Sequence, residues 1–114
     1  MNILVTGSNG FIGSHLVSYL SKKKYNIITI NKSINNNNNL LTIKGDISIY
    51  KQLNKIEWDS LDVVIHLAAS GVSSSNRNWY DCIQTNIIGI QNILRKINNS
   101  KKNPKLIYPR TFYE

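Results

Sequence analysis

Three glycines stand three residues apart in the stretch ILVTGSNGFIGSHLVSYL, at Gly7, Gly10 and Gly13. They separate a short apolar run, Ile3 to Val5, from a segment whose apolar residues fall at Phe11, Ile12, Leu16, Val17 and Leu20. That pattern predicts a strand, a tight turn and a helix with one buried face. Glycine takes positive φ in a turn and lets another backbone or a ligand come close. The free N–H groups of the helix's first turn would then face whatever sits above the glycines, and the helix dipole favours an anion there, a phosphate first of all. Triphosphate hydrolysis is disfavoured, because a P-loop needs Lys and then Ser or Thr after its last glycine, and Gly13 is followed by Ser14 and His15. The spacing is G-x-x-G-x-x-G after Thr6, close to the G-x-G-x-x-G of dinucleotide sites, with an ordinary Gly-rich turn as the alternative.

Other residues with chemical potential give plainer readings. His66 has no Cys, Asp or Glu at ligand spacing, so a packed histidine is expected and no metal site. His15 reads as structural. Ser73-Ser74-Ser75 lacks a paired His and acid, so nucleophilic catalysis is not supported. The lone Cys82 cannot form an internal disulfide and reads as a small, mostly buried helix residue.

The elements that must position the glycines alternate along the chain. YNIITI (Tyr25 to Ile30) suits a second buried strand, and Leu40 to Ile43 a third. Between them runs the low-complexity Asn35 to Asn39. Ser48 to Ile56 reads as a short helix with Ser48 as its cap. Val63 to Leu67 is the clearest strand. From about Asn76 to Asn99 the positions Trp79, Ile83, Ile87, Ile90, Ile93, Leu94 and Ile97 repeat at helical spacing, and Lys105 to Pro109 forms a last strand. Strands alternating with helices indicate an α/β fold, a Rossmann-type doubly wound parallel sheet, whose ligands bind at the carboxyl ends of the strands. The small or polar clusters fall at such ends: Gly7 to Gly13, Asn31-Lys32, Gly45-Asp46 and Ala68-Ala69-Ser70.

At 114 residues the chain suits one domain with a modest core. It has no signal-peptide pattern and none of the roughly 18 uninterrupted apolar residues of a membrane span, so a soluble, cytoplasmic protein is expected, with no membrane partner. The net charge of +8 raises the question of nucleic acid. The basic residues, however, gather as Lys22-Lys23-Lys24 and Lys101-Lys102 near helix C-termini, where they complement the dipole and stay solvated, and no nucleic-acid-binding motif accompanies them. No nucleic-acid partner is expected.

Together VTGSNGFIGSHL, GDI at Gly45 to Ile47, DVVIHLAA at Asp62 to Ala69 and TNIIGIQNIL at Thr85 to Leu94 resemble the extended short-chain dehydrogenase/reductase family, the NAD-dependent epimerase/dehydratase group. The resemblance covers nearly the whole chain. It implies an NAD(P)-binding part of an enzyme acting on nucleotide-activated sugars by epimerisation, dehydration or reduction. Carried over residue by residue, it gives Gly7, Gly10 and Gly13 the pyrophosphate, with Phe11 and Ile12 supplying backbone N–H groups. Asp46 and Ile47 match the adenine-holding positions. Leu67, Ala68 and Ala69 match the stretch beside ribose and nicotinamide, and Asn86 matches an Asn that helps shape the active site. The plain alternatives are an N-cap role for Asp46, packing for the alanines and a solvated helix position for Asn86.

The end of the second strand departs from the NAD pattern. An acidic residue expected there bonds the ribose 2′-hydroxyl, but this chain has Asn31 and then Lys32, which tilts the expectation toward NADP. Chemistry in the family rests on a Tyr-x-x-x-Lys pair beyond the fifth strand, where the ammonium lowers the tyrosine pKa. Tyr19 and Lys23 have that spacing but lie on the first helix. Thr111 is the candidate for the Ser or Thr near the end of the fifth strand. The expectation is therefore a single NAD(P)-binding Rossmann domain over residues 1–114, truncated after about strand 5, without a substrate domain. Such a chain binds a dinucleotide and does not turn over alone; a second half would bring the sugar nucleotide, and a homo-oligomer is possible. A non-catalytic binding or redox-sensing module and a decayed remnant are the competing readings.

Overall fold

The computed structural model describes residues 1–34, 40–72, 75 and 77–110. Five parallel strands lie in the order β3-β2-β1-β4-β5. They are β1 (Asn2–Thr6), β2 (Asn26–Asn31), β3 (Leu41–Lys44), β4 (Val63–His66) and β5 (Lys105–Ile107). The chain steps outward from β1 through β2 to β3, then crosses to β4 on the other flank of β1. That reversal opens a crevice at the carboxyl ends of β1 and β4, the place where doubly wound sheets hold ligands.

Alternation along the strands sends residues to two faces. Leu4, Ile30 and Val64 face a core completed by Leu53, Trp58, Leu61, Ile93 and Ile97. Ile3, Val5, Ile27 and Ile65 face a smaller one, closed by Val17 from helix α1 (Phe11–Ser21). Only Gly13 and Val17 of α1 are buried; Phe11 and Ile12, expected on its buried face, are exposed. They stand at the first turn of α1, beside the glycines.

The helix expected over Ser48 to Ile56 is instead a 3₁₀ segment, Tyr50–Lys55, followed by a second, Trp58–Ser60. Ser48 is not its cap, since Ile49 holds that position and the Ser48 amide and hydroxyl both donate to Asp46 Oδ1. The tight winding suits a short connector whose Trp58 indole N–H donates to the Leu53 carbonyl at 2.8 Å.

The long helix expected from Asn76 begins at Trp79, after Asn78, whose side chain accepts from the Asp81 amide. It is three windings in series: α2 (Trp79–Ile83), a π-helical turn over Gln84–Gly89, and α3 (Ile90–Asn99). The extra residue of the π turn shifts the stripe that sequence spacing predicts. Ile93 and Ile97 are buried, whereas Trp79, Ile83, Ile87 and Leu94 are exposed. Cys82, expected to be mostly buried, is only half-buried. Among the described residues no helix is long and apolar enough to cross a membrane.

This division of one helix makes a measurable contrast. Ile93→Ala, at a position with no exposed surface, is expected to cost about 3 kcal/mol in urea unfolding, while Leu94→Ala next to it costs less than about 1 kcal/mol.

Candidate functional site

The glycine turn is held by backbone contacts that admit no side chain. Gly7 has φ +71, and a Cβ there would lie 2.6 Å from the Ala68 nitrogen. A Cβ on Gly13 would lie 2.0 Å from the Gly7 carbonyl oxygen. The turn is thus wedged between the first turn of α1 and the exit of β4. Gly10 caps α1 without any side-chain hydrogen bond, and the first turn carries no acidic residue. A Cβ on Gly10 would meet only the Gly7 oxygen, at 3.3 Å, so the space above it is open. Uncapped N–H groups, a positive helix end and a side-chain-free approach together fit a diphosphate.

A cleft of about 320 Å³ lies along the carboxyl ends of the strands. Of the residues singled out in the sequence, Gly7, Gly10, Asn31, Lys32, Ile47, Leu67, Ala68 and Ala69 line it. Phe11, Ile12 and Gly13 start α1 at its rim; Asp46 and Asn86 are not among its walls. Thr111 lies outside the described residues. Ile30, Gly45 and Thr85 also line the cleft. Thr85 escaped sequence reasoning because only the π turn rotates it inward, and Ile30 because its side chain belongs to the core.

At the β2 end, Asn31 Nδ2 donates to Ser8 Oγ at 2.9 Å, tying β2 to the glycine turn. Lys32 Nζ lies 3.7 Å from Asp46 Oδ2. Asp46 Oδ1 accepts from the Ser48 amide at 2.9 Å and the Ser48 hydroxyl at 2.7 Å, while its own amide donates to Gln52 Oε1. Burial works against ionisation of this carboxyl, but the two Ser48 hydrogen bonds and the Lys32 charge outweigh it and hold it below the ordinary carboxylate range. Ile47 is fixed from behind: its carbonyl accepts from Asn92 Nδ2 at 2.9 Å, and a Cβ on Gly89 would come within 2.8 Å of its side chain.

The loop after β4 is held in the same way. Asn86, in the π turn, accepts from the Ser70 amide at 2.8 Å and donates to the Ser70 carbonyl at 2.9 Å. Its half-buried amide therefore ties the loop after β4 to the π turn. His66 is buried and stacked on Tyr108, as a packed histidine should be, and burial pushes it down to about 4. Lys102 is not simply solvated, since its ammonium pairs with Asp62 at 2.6 Å. A larger groove, near 1170 Å³, runs beside α1 and across β2 and β3, lined by Ser, Thr and Asn side chains together with apolar ones such as Val17, Ile27 and Leu40, and it misses the three glycines.

Crevice, glycine wedge and β4 exit define a dinucleotide-binding type of Rossmann sheet. Residues 3–113 match the NAD dependent epimerase/dehydratase family, and the chain belongs to that family. It is 39% identical over 124 residues to the dTDP-D-glucose 4,6-dehydratase of Dictyostelium discoideum, covering 96% of this chain and 28% of that one. Among solved structures it resembles the UDP-glucose 4-epimerase of Thermotoga maritima, solved with UDP-glucose, at TM-score 0.78 and 36% identity over 95% of this chain and 37% of that one. The Bordetella bronchiseptica enzyme WbmH, solved in complex with NAD+, matches 83% of this chain and 34% of its own at 26% identity and TM-score 0.70. The chain thus spans about a third of the length of the relatives it matches.

Acid unfolding reads the electrostatics. The unfolded chain protonates His66 near its ordinary 6.5 and the folded one only near about 4, so stability is full above the first value and falls as pH drops toward the second. The loss should reach on the order of 3 kcal/mol. Asp46, held low, loses its contribution only below the ordinary carboxylate range. Urea midpoints measured from pH 7 to 4 should show the loss in the native protein and a flatter profile in His66→Gln.

Proposed function

We propose that this chain binds NAD or NADP in the crevice between β1 and β4, as the cofactor-binding part of a protein that acts on a nucleotide-activated sugar. The observation that carries the reading is the double wedge at Gly7, where two backbones close on glycines that admit no side chain beneath an uncapped helix start. The backbone N–H groups of Phe11, Ile12 and Gly13 would take the diphosphate. Asp46 and Ile47 would border the adenine, and Asn31 and Lys32 the ribose next to it. Leu67, Ala68 and Ala69 would leave room for the second ribose and nicotinamide, with Asn86 holding Ser70 in place beside them. When bound, the dinucleotide supplies a hydride acceptor or donor. The residues of this chain orient it and exclude water from its diphosphate.

Epimerisation, dehydration or reduction of the sugar is the class of reaction that the family supports, in the cytoplasm. Of the two cofactors we favour NADP. β2 ends on Asn31 where a carboxylate would bond the ribose 2′-hydroxyl, and the two-thirds-exposed Lys32 brings an ammonium, paired with Asp46 across 3.7 Å, to the place of a 2′-phosphate.

Calorimetric titration with NAD+, NADH, NADP+ and NADPH tests both levels. Saturable binding should weaken at least about a hundredfold in Gly10→Glu, which places a carboxylate above the turn and whose Cβ meets only the Gly7 oxygen, at 3.3 Å. NADP(H) should bind more tightly than NAD(H), and Asn31→Asp should reverse that order. A folded chain that binds none of the four removes the proposal; binding in which NAD(H) leads removes only the cofactor preference.

A further inference from the structure

Lys55, Arg95 and Lys96 meet around Tyr50 with no carboxylate among them. Lys55 Nζ donates to the Lys44 carbonyl at 2.8 Å, and Lys96 Nζ donates to Asn54 Oδ1. The Arg95 guanidinium carbon lies 3.9 Å from the centroid of the Tyr50 ring, and Lys96 Nζ lies 4.6 Å from it. Tyr50, Asn54 and Lys55 belong to the first 3₁₀ segment, Arg95 and Lys96 to α3, and the Tyr50 ring is packed on the larger core. Each cation is thus positioned by a neutral partner: a carbonyl, a carboxamide or a ring face. Lys32 and Lys102 differ, since each pairs with an aspartate, whereas none of these three pairs with a carboxylate among the described residues. A carboxylate cancels most of a cation's field at a distance; a neutral partner orients the cation and leaves the field standing.

The patch borders one end of the cleft from two directions. The carbonyl that holds Lys55 ends β3, and the next residue, Gly45, lines the cleft. On α3, Arg95 stands one turn beyond Asn92, whose side chain holds the carbonyl of Ile47, another cleft residue. Resting on the dinucleotide reading, we propose that Lys55, Arg95 and Lys96 form an electrostatic funnel that draws the anionic dinucleotide toward the cleft and sets its rate of association. None of the three lines the cleft, so they act on the approach of the ligand and not on its bound state. The pull grows with ligand charge, so NADPH, which carries one phosphate more than NADH, feels it more strongly.

Stopped-flow nicotinamide fluorescence of the 114-residue chain with NADPH and NADH tests the funnel. The runs are made at about 0.01 M ionic strength, where a charge is felt over about 30 Å, and at about 1 M, where it is felt over about 3 Å. Lys55→Gln, Arg95→Gln and Lys96→Gln combined remove the charges and keep hydrogen-bond donors in their places. Lys22→Gln, Lys23→Gln and Lys24→Gln combined remove the same charge beyond the far end of α1, away from the glycines. At low salt the first variant should associate with NADPH about fivefold more slowly, and with NADH less so, while dissociation stays within about twofold of the parent. At high salt the difference should vanish, and the second variant should stay within about twofold of the parent throughout. Arg95→Gln alone, at an exposed position, should slow association with NADPH about twofold and reads the same effect where the combined variant fails to fold. An equal loss in both combined variants, an unchanged association rate, or a loss carried by dissociation overturns the funnel, while binding by the parent upholds the dinucleotide reading. A folded parent that binds neither dinucleotide overturns both.

Discussion

Backbone packed directly on backbone is the constraint from which the site follows. The start of α1 rests on the Gly7 carbonyl, and Gly7 rests on the exit of β4, at separations that leave no room for a single methyl group. Side chains ordinarily set the spacing between elements at 8 to 10 Å or so. Removing them brings the helix start to the sheet edge and aims its N–H groups along the crevice. The direction of α1, the place of the turn and the line of the cleft are thus settled by one contact.

Around this contact, polar side chains are used mainly to hold loops. Gln52 and Ser48 fix Asp46, Asn92 fixes Ile47, Asn86 fixes Ser70, and Asn31 ties β2 to Ser8. Each bond joins a segment just past a strand to an element anchored in one of the two cores or to the next strand end. No buried side-chain nitrogen or oxygen among the described residues lacks a hydrogen-bond partner. A ligand entering the cleft therefore meets strand-end loops already ordered and loses less free energy in arranging them.

The strands and the parallel, doubly wound character of the sheet were legible because each strand is a short apolar run ending in small or polar residues, and helices alternate with them. The glycine positions were legible for a different reason: at Gly7 and Gly13 no other residue fits. The short helix after β3 was legible, but not its 3₁₀ winding, its later start at Tyr50 or its cap, since a helical spacing over about nine residues does not separate the two windings. The spacing over Trp79 to Ile97 indicated a helix, but not that Trp79, Ile83 and Ile87 fall outside the stripe of Ile93 and Ile97, because a π turn is invisible to a period of 3.6. Asn86 shows a further limit. Its bonds to Ser70 depend on which backbone atoms it meets from afar in sequence, and no local pattern encodes that.

The unequal division of the core by the sheet has a consequence for how the chain moves. Among the described residues, ten buried side chains make the core on the α3 side, and five make the core under α1. Local opening favours the element with the least buried apolar surface, so α1 is the natural first part of this structure to detach. Its exposed first turn, where Phe11 and Ile12 face solvent, is also the turn beside the glycines. An anion held there would draw α1 back to the sheet by mass action. Occupancy of the crevice and closure of the smaller core would then form a single equilibrium, in which the ligand does the work of the apolar side chains that α1 lacks.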